Sequence, residues 1–164
     1  MTVTSVEKDP AALTMTLHAA FDAPITSVWQ LWADPRRLER WWGPPSHPAT
    51  FVEHDLRDGG RVTYFMTGPE GEQYHGWWEV LDVEEPRRIE VRDGFGHPDA
   101  PADMPVTTMR VTLDEAGGGT RMTIVSTFAS AEAMEQLVAM GMEEGIVAAM
   151  GQMDDILAEA PAGS

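Results

Sequence analysis

From Leu13 the chain alternates between apolar and polar residues. Leu13, Met15, Leu17 and Ala19 fall on one face and Thr14, Thr16 and His18 on the other, up to Phe21, which predicts a half-buried strand. The same period of two recurs over 50–57, 61–67, 73–84, 88–92, 106–114 and 120–128, giving about seven strands. Their connections, such as Asp58-Gly59-Gly60, Glu85-Pro86 and Ala116-Gly117-Gly118-Gly119, are too short for crossovers, so the sheet is antiparallel. Between the first two of these strands the period changes. Pro24 opens a short helix carrying Ile25, Val28, Trp29 and Trp32 on one side. Asp34-Pro35 caps a second, with Leu38, Trp41 and Trp42 as its apolar edge, and Gly43-Pro44-Pro45 ends it. After the last strand, Ser130 caps a long C-terminal helix to Ala158, where Met142, Ile146, Ala149, Met150, Met153 and Leu157 recur at three- and four-residue steps. The fold class is α+β. Residues 1–11 read as a lead-in, 12–159 as one domain and 160–164 as a tail.

Period-two counting assigns the sheet face that meets the helix: Val62, Tyr64 and Met66; Tyr74, Trp78 and Val80; Ile89 and Val91; Met109, Val111 and Leu113; Met122, Ile124 and Ser126. Trp77, Phe65 and Leu81 break this rule, and a homodimer contact is one use for them. Gly141 and Gly145 sit inside the long helix, each costing about 1 kcal/mol relative to alanine. Two explanations stay open: a bend near Gly141 that aims two apolar registers at the sheet, or space left under the helix for a ligand. A ligand there would meet Trp29, Trp32, Tyr64, Met66, Trp78, Val80, Met109, Val111, Met122 and Ile124, and, from the helix, Gly141, Met142, Gly145, Ile146 and Met150. The connection from Asp93 to Pro105 is longer than a hairpin needs, and reads either as a plain loop or as a lip over a cavity mouth.

Composition narrows the chemistry. Eleven Lys and Arg against 27 Asp and Glu give a net charge of −16, which repels nucleic acid and anionic membranes. No apolar run approaches the roughly 20 residues of a membrane span, and the N-terminus lacks the layout of a signal peptide, so a cytoplasmic protein without membrane insertion is expected. The absence of cysteine excludes disulfides and a thiol nucleophile. His18, His47, His54, His75 and His97 show no paired ligand spacing, so neither a metal nor another cofactor is expected. Tyr64 and His54 are the weak candidates for acid–base work. Arg36, Arg37 and Arg40 form a basic cluster that reads as a solvated helix face or as a contact for an acidic partner. Eleven Met and six Trp suit either a dense core or an adaptable ligand surface.

The runs DAPITSVWQLWADPRRLERWWGPP, DLRDGGRVTYFMTGPEGEQYHGWWEVLDVEEPRRIEV, GGGTRMTIVSTF and GMEEGIVAAMGQMDDILA resemble the SRPBCC superfamily. More narrowly, they resemble bacterial domains similar to the C-terminal domain of the activator of heat-shock-protein-90 ATPase. The resemblance implies a START/Bet v 1-like helix-grip fold, a curved antiparallel sheet around the C-terminal helix with an apolar cavity between. It implies binding of a small hydrophobic or aromatic molecule of lipid or polyketide type, with a cyclase or hydrolase, or a co-chaperone-like or stress-response interaction protein, as alternatives. The 164 residues leave no room for the additional N-terminal domain of the eukaryotic activator, which weighs against a chaperone partner.

Overall fold

The computed structural model describes residues 3–97, 100–101 and 105–159. Its elements run β1 (Val3–Asp9), β2 (Thr14–Phe21), α1 (Ile25–Ala33), α2 (Pro35–Trp41), β3 (Ala49–His54), β4 (Arg61–Thr67), β5 (Gln73–Glu84), β6 (Arg88–His97), β7 (Ala100–Pro101), β8 (Thr107–Ala116), β9 (Gly119–Thr127), α3 (Ala131–Ala139), α4 (Met142–Met150) and α5 (Met153–Glu159). The strands form one antiparallel sheet in the order β1-β2-β9-β8-β6-β5-β4-β3, with β7 added to β6. Because β2 pairs with β9 over Thr14–Phe21 and Thr120–Thr127, the early and late parts of the chain close onto each other. The expected α+β helix-grip layout is present.

Local chemistry accounts for the short helices. The Asp34 carboxylate accepts from the Arg36 N–H at 2.9 Å, and Pro35 takes the first helical position. The Ser130 hydroxyl accepts from the Ala133 N–H at 3.1 Å, as read from the sequence. Trp32, Trp41, Trp42 and Trp78 then meet edge to face or tilted, with ring centroids 4.8–6.2 Å apart, and fill one end of the sheet. The basic cluster on α2 is spent inside the molecule. Arg36 donates to the Phe51 carbonyl and pairs with Glu39, Arg37 pairs with Asp34, and Arg40 grips both carboxylate oxygens of Glu159.

Four expectations need correction. The supposed lead-in contains β1, which pairs with β2; a bulge between Val3 and Ser5 puts its half-buried residues Val3 and Val6 three apart, hiding the period of two. β6 does not stop at Arg92 but continues to His97, so the first part of the expected loop is strand; residues 98–99 and 102–104 of that connection and the 160–164 tail lie outside the described residues. Tyr74 has the inward parity, yet it lies at the uncovered end of β5, 55% exposed, with its ring 5.8 Å from that of His47. Trp77 is not an exposed outlier but is buried against the sheet, with its ring over Gly94 and its indole N–H donating to the Phe95 carbonyl at 3.1 Å.

The long C-terminal helix is built in three segments. Gly141 takes φ 89°, following α3 and opening α4, so the bend falls where the two apolar registers require it. Burial along this region is uneven. Met134 and Leu137 of α3, Met150 of α4 and Met153 and Ile156 of α5 are buried, but Met142 and Ile146 are only half-buried. Between α4 and α5, the Gln152 side chain donates to the Gly43 carbonyl at 2.7 Å and fastens this end to the segment after α2. The two glycines therefore respond in opposite ways to alanine. Gly141→Ala forces a side chain into the left-handed region and should cost about 1–2 kcal/mol. Gly145→Ala meets nothing within 4 Å and should stabilise by roughly 0.5–1 kcal/mol, both read from urea unfolding midpoints.

Candidate functional site

The inward face of β6 places Ile89 and Val91 in the core and then, at the next inward position, an aspartate. Asp93 sits beside Trp78 of β5 and Thr107 of β8 in the sheet register. Tyr64 approaches it from β4. Tyr64 pairs with Gly76 of β5, and its ring lies directly over that glycine: a Cβ at position 76 would stand 2.4 Å from Tyr64 Cζ and Oη. The missing side chain is what lets the phenol cross β5 toward the Asp93 carboxyl. Phe51 stacks on the other flank of Tyr64 at 5.0 Å, and Trp42 meets it edge-on at 6.0 Å.

Above this pair the half-buried stretch of α4 stands off the sheet and leaves a cavity of about 260 Å³. Its walls are Trp42 and Pro44 after α2; Tyr64, Met66, Asp93, Met109 and Ser126 from four strands; and Met142, Gly145 and Ile146 from α4. A second cavity of about 220 Å³ lies against Phe95, Thr107, Leu137, Met140 and Gly141, and shares Asp93 and Met142 with the first. Together they reach the lower part of the range of roughly 300–1,000 Å³ that small-molecule sites occupy. The surfaces are mainly apolar, and the polar groups are the Tyr64 hydroxyl, the Asp93 carboxyl, Ser126 and Thr107.

The electrostatics follow from burial. Desolvation pushes the Asp93 carboxyl from 3.8 up to about 7, only partly opposed by the neighbouring Tyr64 phenol. The Tyr64 phenol is raised well above its ordinary value of 10.0, first by desolvation and then by the Asp93 charge. The indole N–H groups of Trp42 and Trp78 pull weakly the other way, but neither reaches normal hydrogen-bond geometry. The pair is thus an acid of raised pKa beside a neutral phenol, in a cleft walled by aromatic rings and methionines.

Known proteins share this arrangement of sheet and helices. The family described as Activator of Hsp90 ATPase homolog 1-like protein matches residues 22–158. The chain belongs to this family. The crystal structure of protein Ms6760 from Mycobacterium smegmatis is 55% identical over 94% of this chain and 96% of that one, with a TM-score of 0.87. The solution structure of an Arthrobacter aurescens protein is 48% identical, covers 98% of this chain and 94% of its own, and has a TM-score of 0.92. A Staphylococcus epidermidis protein at 26% identity still superposes with a TM-score of 0.81 over 95% of this chain and 94% of its own. No curated protein matches. Membership places the chain in the SRPBCC superfamily with its Bet v 1-like fold, a ligand-binding type of domain in general terms.

The expected site residues divide between this Activator of Hsp90 ATPase homolog 1-like cleft and the core beneath it. Tyr64, Met66, Met109, Gly141, Met142, Gly145 and Ile146 line one cavity or the other. Trp29, Trp32, Trp78, Val80, Val111, Met122, Ile124 and Met150 are buried without lining either. His54 is turned away: a bulge in β3 after Phe51 sets its register, and its Nε2 lies 3.0 Å from the Trp32 carbonyl. Trp42, Pro44, Asp93, Phe95, Thr107, Leu137 and Met140 were absent from the expected set. The signal for Asp93 was its parity with Ile89 and Val91, and the signal for the Tyr64 crossing was a glycine in mid-strand opposite an aromatic.

Two outcomes follow for the pair. Gly76→Ala should displace the Tyr64 ring and cost about 1–3 kcal/mol in denaturant unfolding, with a change in tyrosine near-ultraviolet dichroism. Because the folded-state value for Asp93 is raised, the folded protein holds a proton that the unfolded chain has released. Stability from this group is full below about pH 4 and lost as pH rises to about 7. The melting temperature of the native protein relative to Asp93→Asn should therefore fall across that window and level off above it.

Proposed function

We propose that this protein binds a small apolar or aromatic molecule, of lipid or polyketide type, between the sheet and α4. The observation that carries the reading is the cavity itself: about 260 Å³ with methionine, isoleucine and aromatic walls, and polar groups converging from separate strands. Burying about 200 Å² of ligand at about 25 cal/mol per Å² contributes ~5 kcal/mol, against ~1 kcal/mol for a neutral hydrogen bond. Apolar contact therefore drives binding, and Tyr64, Asp93 and Ser126 select and orient. A cytoplasmic setting belongs to this reading, in keeping with the absence of cysteine.

One observation favours a second reading, an enzyme of cyclase or hydrolase type in the same cleft. Asp93, held up at about 7 beside Tyr64, has the proton affinity a general acid or base needs near neutrality. Tyr64→Phe separates the two: it weakens a binder's selectivity but removes an enzyme's turnover. A co-chaperone-like or stress-response role acting through the α2 arginines gains nothing from their geometry, since Arg36, Arg37 and Arg40 are each engaged within the chain.

Thermal shift across a library of lipids and aromatic compounds checks the binding reading. A ligand at about a hundred times its Kd contributes ~2.7 kcal/mol, or roughly 5–10 °C in Tm for a domain of this size. Gly145→Leu, which places a side chain in open space beside the cavity, should keep the unliganded Tm and lose the shift. A flat library response from the native protein would overturn the reading.

A further inference from the structure

Charge and aromatic placement in the cleft say more about the ligand than its volume does. Asp93 belongs to the wall of both cavities, so a molecule in either lobe meets its carboxyl. Neither wall contains a lysine, arginine or histidine, and among the described residues no cationic side chain forms an ion pair with Asp93. Tyr64, reaching over from β4, is the other titratable group of the walls. The neighbouring strands present Trp78, Thr107 and Met109, α3 presents Leu137, and α4 presents Met142. The acids of α4 line neither cavity: Glu143 pairs with Lys8 of β1, and Glu144 is exposed, with its carboxylate near Gly141. Trp42 and Tyr64 stand in the same lobe as the carboxyl, their rings 6.0 Å apart and nearly perpendicular, and Phe95 stands in the other. A carboxylate between aromatic rings in a site lacking positive charge is complementary to a cation. The net charge of −16 draws cations toward the protein and repels acids.

We infer that the cleft takes a hydrophobic amine: an apolar or aromatic body filling the lobes, with one protonated nitrogen held against the Asp93 carboxylate and flanked by Trp42 and Tyr64. This rests on the ligand-binding reading of the same cavity and names the chemical class of its ligand. The ammonium supplies the missing counter-charge, and Tyr64 stays beside the carboxylate. Near neutrality a part of Asp93 is protonated in the free protein, so binding the ammonium releases that proton to solvent. A carboxylic acid would bring a second negative charge to the same place, and an alcohol would bring none.

Isothermal titration calorimetry with phenylbutylamine, phenylbutanol and phenylbutyric acid, which share one skeleton, tests this. At about pH 8 the amine should bind roughly tenfold or more tighter than the alcohol, and the acid more weakly than either; at about pH 6 the advantage should narrow. In Asp93→Asn the amine should lose its advantage over the alcohol. As a check that needs no variant, titrations near pH 7 in buffers of different ionisation enthalpy should show proton release with the amine and none with the alcohol. An alcohol or acid that binds as tightly as the amine, or an amine preference that persists in Asp93→Asn, overturns the inference and leaves the cavity reading standing. If none of the three binds, the inference is overturned; if the lipid and aromatic library is silent as well, the cavity reading falls with it.

Discussion

The inward face of the sheet has to be covered, and the C-terminal helical region covers it unevenly. At one end the four clustered tryptophans, with Met150, Met153 and Ile156, exclude water completely or nearly so. In the middle, Met142 and Ile146 are half-buried, and Gly145 offers no side chain to close the gap. The left-handed bend at Gly141 sets this arrangement, because it lets α3 dock on its own line while α4 follows another. Gln152 and the Arg40–Glu159 pair then fix the far end against α2. A straight rod of the same composition would close tightly over one part of a curved sheet and gape over the rest. Here the gap is placed over Tyr64 and Asp93.

Much of the fold was legible because its signals are short-range. Alternation marked seven strands, and Asp34-Pro35 and Ser130 announced their caps and made the expected hydrogen bonds. What stayed hidden depended on neighbours distant in sequence or on a broken period. The bulge in β1 moved Val6 out of phase with Val3, and the bulge in β3 left the orientation of His54 open. Asp93-Gly94-Phe95-Gly96 has the composition of a turn, yet it is strand: Trp77 from β5 covers Gly94 and holds that part of β6 in the sheet. Reading those residues as loop removed the site's most informative side chain from view.

The candidate site was half legible for a related reason. Parity placed Tyr64, Met66 and Met109 correctly, but parity cannot tell a residue that lines a cavity from one that packs shut against the helix. Trp78, Val111 and Ile124 have the inward parity and are simply core. The distinction is made by how far α4 stands off the sheet, which depends on Gly141, Gly145 and the anchoring of α5. Trp42 and Pro44 escaped notice because they enter from the chain leaving α2, and no period along a strand or helix reports where that chain passes.

Asp93 itself argues for use rather than for stability. Asp93 is half-buried at the cavity wall; taking a carboxyl even partly out of water is costly, and the neighbouring phenol offsets only part of that, as its raised proton affinity shows. An apolar residue continuing the run Ile89, Val91 would sit on the same strand at no such cost. Nor does the local fold need the aspartate to hold Tyr64, whose ring is already seated over Gly76 and against Phe51 and Trp42. A group that costs stability, is not needed to place its neighbour, and forms the common wall of two adjoining cavities finds its compensation in what enters those cavities.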